Sequence, residues 1–133
     1  NDKNYERTIP QKMRRKALFM LLSEKAKNNL LVVLDTMSME LAKTKAMAAM
    51  IRRLPVADGS RLMAYHNSDK KVFLAARNIK KTGVSEARNL NVVDLLDYKY
   101  VVISKDGIKE LETTFGGKSQ ITNPKSQTIS KSK

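Results

Sequence analysis

Leu90-Asn91-Val92-Val93-Asp94-Leu95-Leu96-Asp97-Tyr98-Lys99-Tyr100-Val101-Val102-Ile103-Ser104-Lys105-Asp106 contains a helix, a strand and the start of a second helix in one short stretch. Asn91 can cap a short helix carrying Val92, Val93, Leu95 and Leu96, with Asp94 as a first-turn acid that stabilises it. Tyr100-Val101-Val102-Ile103 reads as a strand. Ser104 can cap a last helix with Ile108, Leu111 and Phe115 on one face, ended by Gly116-Gly117.

The same alternation extends toward the N-terminus. Thr8-Ile9-Pro10-Gln11 has the form of a capping box, with Thr8 as N-cap and Pro10 in the first turn. The helix it opens is predicted to run to about Asn28, with Met13, Ala17, Met20 and Leu21 as its apolar stripe. Leu30-Leu31-Val32-Val33-Leu34 is a continuous apolar run, as expected for a strand covered on both faces. A second helix, about Lys43 to Leu54, places Ala46, Met47, Met50, Ile51 and Leu54 at helical spacing and stops at Pro55. Asp58-Gly59-Ser60 turns into a strand over Leu62–Tyr65, and a helix follows from about Asp69 to Asn78. A weaker strand, Val84–Ala87, comes after Gly83.

Strands alternating with helices predict right-handed crossovers. The fold class is therefore α/β: three layers, α/β/α and Rossmann-like, with a mostly parallel sheet of about four strands. Residues 1–7 are expected to be a polar arm, 8–117 the α/β domain, and 118–133 a basic tail that is disordered or orders on binding.

The 133 residues contain no Cys, which excludes a disulfide framework and Cys-ligated metal sites. The longest apolar run is far too short to cross a bilayer, and no signal-peptide pattern opens the chain. The net charge is +13, and its placement is uneven. Residues 1–29 hold eight basic against three acidic groups and residues 61–90 seven against two, while 91–117 hold three against five and 118–133 four against none. Clustered basic charge is the footprint of a polyanion binder. A membrane surface would call for a Trp- or Phe-rich amphipathic face, which is missing.

Lys12, Arg14, Arg15 and Lys16 crowd the first turns of the first helix. The helix N-terminus is already positive, so each such cation costs roughly 0.3–1 kcal/mol there. An anionic partner, phosphate above all, would offset that cost. A charge run on a solvated helix face is the plainer explanation. Lys43-Thr44-Lys45 repeats the pattern at the second helix, where two cations and a hydroxyl suit backbone phosphates. Arg77-Asn78 with Lys80 and Lys81 stands at a helix C-terminus, where cations are stabilising anyway, and Arg88-Asn89 is similar. His66 is the only histidine and reads as a structural or surface residue. Asp35 follows a strand, where active sites form in parallel sheets, yet no Gly-rich phosphate loop and no Ser–His–acid set accompanies it. The seven methionines read as core fillers, and the 5% aromatic content argues against a base-stacking platform.

Lys12-Met13-Arg14-Arg15-Lys16-Ala17-Leu18 and the strand behind it resemble the bacterial-type family of large-subunit ribosomal protein four, in its C-terminal part. Lys43-Thr44-Lys45, Leu74-Ala75-Ala76-Arg77-Asn78, Leu90–Leu96 and Val101–Asp106 match it in the same order. The resemblance covers roughly residues 5–115. It implies an α/β domain that binds ribosomal RNA as a structural constituent of the large subunit, beside neighbouring ribosomal proteins. It implies no catalysis, no cofactor, no metal, no membrane and no small-molecule substrate, and a cytoplasmic location in a bacterial or organellar ribosome. On this resemblance Lys12, Arg14, Arg15, Lys16, Lys43, Thr44, Lys45, Arg77, Asn78, Lys80, Lys81, Arg88 and Asn89 are the expected RNA contacts. The family also carries an N-terminal strand and helix and a basic loop reaching the peptide exit tunnel, which would precede this chain's first helix. Their absence here predicts a sheet lacking a strand unless the N-terminal part is supplied separately. The tail and Gly107 depart from the family's pattern. Two alternatives stand beside this one: a small doubly wound enzyme or nucleotide-binding domain using the strand ends near Asp35 and His66, and a translational repressor binding messenger RNA.

Overall fold

The structure, a computed structural model, describes residues 3–56 and 58–116. Four strands, β1 (Leu31–Leu34), β2 (Arg61–Tyr65), β3 (Thr82–Glu86) and β4 (Tyr100–Ser104), form one sheet in the order β1-β4-β2-β3. All three pairings are parallel, with Leu31 opposite Val101, Leu62 opposite Val101, and Met63 opposite Val84. The helices are α1 (Gln11–Lys27), α2 (Thr44–Arg53), α3 (Lys70–Ala76), α4 (Val92–Asp97) and α5 (Lys105–Phe115), with a 3₁₀ turn at Ala87–Asn89.

Side chains along the strands alternate between two cores, as the period of two in a strand demands. Val32, Leu34, Met63, Tyr65, Val84 and Val102 face α2 and α3, meeting Met47, Ile51, Val72, Ala75 and Ala76. Leu31, Leu62, Ala64, Val101 and Ile103 face α1, α4 and α5, meeting Leu18, Leu95 and Leu111. The three-layer α/β prediction holds. The chain moves outward from β2 to β3 and then back to β4, so α4 crosses on the opposite face from α2 and α3. Right-handed crossovers require that change of face.

Strand to helix to parallel strand also fixes polarity. Helices α2, α3 and α4 each begin beside the carboxyl end of the strand before them. The Asn28–Leu30 reversal joins α1 to β1, so α1 also starts at that edge. The reversal closes with Leu30 N–H donating to Lys25 O (2.8 Å) and Asn29 N–H to Ala26 O (3.2 Å), with Asn29 at φ 56°. This pair of bonds is the Schellman pattern, in which Asn tolerates the left-handed backbone better than most residues. Lys25 donates to the Tyr98 and Lys99 carbonyls, which ties α1 to the α4–β4 connection, and burial there lowers its pKa.

Several expectations are corrected. Thr8 does not cap α1: the helix begins at Gln11 behind Pro10, which has ψ 142° and no side-chain cap bond. Proline holds the residue before it extended, so the helix cannot start upstream of Pro10. The buried stripe of α1 is Leu18 with Leu21 and Leu22, whereas Met13 and Met20 are 62% and 63% exposed. These two methionines lie on the opposite side of the wheel, with Lys16 and Lys27. The seven methionines therefore split: Met37, Met47 and Met63 are buried, Met39 and Met50 partly so. The run at Leu30–Leu34 gives a strand at the edge of the described sheet that packs on both cores through Leu31, Val32 and Leu34, while Val33 is 45% exposed. Helix α3 stops at Ala76, so Arg77 and Asn78 lie in the turn after it, and β3 starts at Thr82 rather than Val84. Residues 3–10 form no helix or strand, and the predicted tail 118–133 lies outside the described residues. Gly107 has a physical reason: a Cβ there would lie 2.9 Å from Ile103 Cγ1, so a larger residue would have to push the buried Ile103 side chain aside where α5 turns off β4.

Candidate nucleic-acid surface

The five helix starts differ in a way that sorts the chain's charge. α4 and α5 are capped: Asn91 Oδ1 accepts from Asp94 N–H at 2.7 Å, and Ser104 Oγ accepts from Gly107 N–H at 3.1 Å. Both also carry a first-turn acid, Asp94 and Asp106. α1, α2 and α3 have neither a side-chain cap bond nor a first-turn acid. Met13 N–H and Val72 N–H turn back to the Pro10 and Asp69 carbonyls, and the N–H groups before them have no intrahelical partner. Basic side chains lie beside these starts: Lys12, Arg14, Arg15 and Lys16; Lys43 and Lys45; Lys70 and Lys71, the last pair next to the N-cap Asp69. All three starts lie at the carboxyl edge of the sheet. Positive partial charge and full positive charge therefore coincide at one edge.

Of the thirteen expected contact residues, only Arg15 is partly buried, and the rest are exposed. The fold separates them into two groups. Lys12, Arg14, Arg15, Lys16, Lys43, Thr44, Lys45, Arg88 and Asn89 gather at the carboxyl edge. Arg77, Asn78, Lys80 and Lys81 lie in the α3–β3 connection at the opposite, amino edge, where Lys81 takes φ 57°. Arg88 and Asn89 are less free than the rest. Glu86 Oε2 accepts from Arg88 Nε at 2.7 Å and from Asn89 Nδ2 at 3.1 Å. The hydrogen bond to Glu86 raises the arginine's already high pKa.

Lys70 and Lys71 were missed by sequence reasoning, although they repeat the signal seen at the first two helices: a basic pair at a helix start. Lys71 Nζ donates to the Glu40 carbonyl at 2.9 Å, which holds the β1–α2 connection against α3. Arg52 and Arg53 end α2 and belong to the amino edge.

Asp35 and His66 do not converge. β4 runs between the strands that deliver them. Asp35 forms an ion pair with Lys105, whose hydrogen bond lowers the carboxyl's pKa. His66 Nδ1 lies 2.7 Å from Ser68 Oγ, and its Nε2 lies 4.0 Å from Glu110 Oε2. Among the described residues no group of three or more His, Cys, Asp or Glu could hold a metal ion, and no helix is long and apolar enough to cross a membrane.

Comparison with known proteins gives a consistent result. Residues 1–114 match the ribosomal protein L4/L1 family. The large ribosomal subunit protein uL4 of Clostridium beijerinckii is 34% identical over 113 residues, covering 85% of this chain and 54% of that protein. Its counterpart in Lactobacillus acidophilus is 37% identical over 110 residues, 83% of this chain and 52% of that protein. That of Symbiobacterium thermophilum is 35% identical over 114 residues, 86% and 55%. The chain spans about half the length of the curated relatives it matches. On a match along nearly all of its described residues, the chain belongs to the ribosomal protein L4/L1 family.

Proposed function

We propose that this domain is a structural constituent of the large ribosomal subunit. It binds ribosomal RNA, packs beside neighbouring ribosomal proteins in the cytoplasm, supports subunit assembly and translation, and performs no chemistry. The supporting observation is that three helix starts, without a side-chain cap bond or a first-turn acid and each beside lysine or arginine, share one edge of the sheet. Such an edge offers orphan N–H donors and mobile cations to backbone phosphates together. Arg77, Asn78, Lys80 and Lys81 give a second basic patch at the other edge. Phosphate geometry and RNA shape carry most of the recognition, because the aromatic content is too low for extensive base stacking.

The test is binding to large-subunit RNA fragments across a salt series. A protein neutralising about 6–10 phosphates loses roughly 10³–10⁵ in affinity between about 50 and 200 mM salt, because each contact releases counterions. A steep slope of that kind is expected. No measurable RNA affinity at the low-salt end would sink the proposal.

A further inference from the structure

A cleft of about 620 Å³ opens at the carboxyl edge between the β2–α3 turn, the Ala87–Asn89 turn and α5. Topology puts it there. β2 passes the chain to α3 on one face, while its neighbour β4 passes it to α5 on the other, so the two connections diverge. Open α/β sheets bind ligands in such a crevice, outside the carboxyl ends of the strands. The matching divergence between β1 and β4 is bridged by the Asp35–Lys105 ion pair.

The side chains around the cleft have unspent capacity. Glu110 Oε2 is buried without a hydrogen-bond partner, with His66 Nε2 at 4.0 Å. A buried carboxylate oxygen with no partner is uncommon and costly. Ser68 N–H reaches His66 Nδ1 at 3.3 Å and Ser68 Oγ lies 2.7 Å from the same nitrogen, which holds the ring at the cleft wall with about a third of the side chain exposed. Arg88 uses Nε on Glu86, leaving its terminal nitrogens as donors at the cleft wall. Lys109, paired with Asp106 at 3.2 Å, is a second cation at the same wall.

A fitting ligand therefore offers hydroxyl donors for Glu110, an anion for Arg88 and a flat ring for His66. We propose that this cleft binds one unpaired ribonucleotide of an RNA chain. Glu110 accepts from the ribose hydroxyls once the His66 ring shifts aside, Arg88 takes the phosphate, and the base lies against the imidazole. The assignment rests on the RNA-binding function proposed above and adds to it a means of telling RNA from DNA through the 2′-hydroxyl.

The experiment compares a short oligouridylate with its deoxyuridine counterpart at low salt, using the wild type, Glu110→Ala, Glu110→Gln and His66→Ala. Thermal melts check that each variant folds. The wild type should prefer the ribose form about tenfold, the scale of one hydrogen bond to a charged group. That preference should vanish in Glu110→Ala and be partly kept in Glu110→Gln, whose amide oxygen still accepts. Equal ribose and deoxyribose affinity in the wild type, or a preference unchanged by Glu110→Ala, overturns the cleft while leaving phosphate-driven RNA binding intact. If no oligonucleotide binds, the ribosomal function fails, and uridine 5′-monophosphate followed by NMR at His66 and Thr113 decides the cleft alone. Shifts that depend on the 2′-hydroxyl and on Glu110 support it, and their absence overturns it.

Discussion

Replacing Lys12, Arg14, Arg15 and Lys16 with Gln should make the protein more stable and a poorer RNA binder. α1 begins at Gln11 without a cap bond or an acid, so Lys12 and Arg14 lie in the turn where the helix dipole acts most strongly. Relieving two such cations is worth roughly 0.3–1 kcal/mol each. The Lys12–Arg15 and Lys12–Lys16 repulsions, at spacings of three and four, add a few tenths each, about 0.2–0.5 kcal/mol. The expected gain is about 1–3 kcal/mol, which raises the melting temperature by several degrees in a domain of this size. Only Arg15 is partly buried and the other three are exposed, so little packing is lost. In an anisotropy titration from about 50 to 200 mM salt, the slope of log affinity against log salt should flatten by up to roughly 3, from four lost phosphate contacts. Opposite movement of the two readouts is the signature. A variant that melts lower, or keeps the wild-type slope, refutes the idea that these cations trade helix stability for phosphate.

Ser104→Ala removes the acceptor for Gly107 N–H and should cost about 1 kcal/mol by urea unfolding, with an unchanged m-value. Leu95→Ala opens a cavity where α4 meets the sheet and should cost roughly 2–5 kcal/mol. Asp35→Asn tests the Lys105 pair through pH. Asp35's folded pKa is depressed below 3.8, so the pair's contribution exists above that value and fades as pH falls through the folded pKa. Wild-type and variant melting curves should therefore converge in acid and separate toward neutral pH, by a small margin because both groups are exposed.

Much of the fold could be read from short-range signals. Asn91 and Ser104 cap the helices they were expected to cap, and Ile108, Leu111 and Phe115 do share one core. Hydrophobic order along the chain was enough to place five helices between and around four strands. What failed depends on neighbours. An apolar run such as Leu30–Leu34 looks the same at an edge as in the middle of a sheet, and only strand order decides its cover. Met13 and Met20 share a helix face with each other but not with Leu18, and the stripe chosen by the tertiary contact is the leucine one. The charge clusters were equally visible, yet their grouping was not. The parallel topology sends the starts of α1, α2 and α3 to one edge and Arg77–Lys81 to the other. The Glu110 oxygen left no trace in sequence, because an unmet acceptor is defined by everything around it.

The strand order also sets a timetable. Among the described residues β1 pairs only with β4, the last of the four strands along the chain, and β2 meets β1's half of the sheet only through β4. A nascent chain can join β2 to β3 early, but β1 cannot pair with β4 until residue 104 has emerged. The sheet is closed from its middle, by a segment inserted between two that were made long before it. Such late, non-local pairing slows folding, because the loop must close before the contact repays it. Until then the apolar Leu31–Leu34 segment is an open template for a wrong strand. A partner that reaches the basic start of α1 during synthesis would meet it while that segment is still waiting.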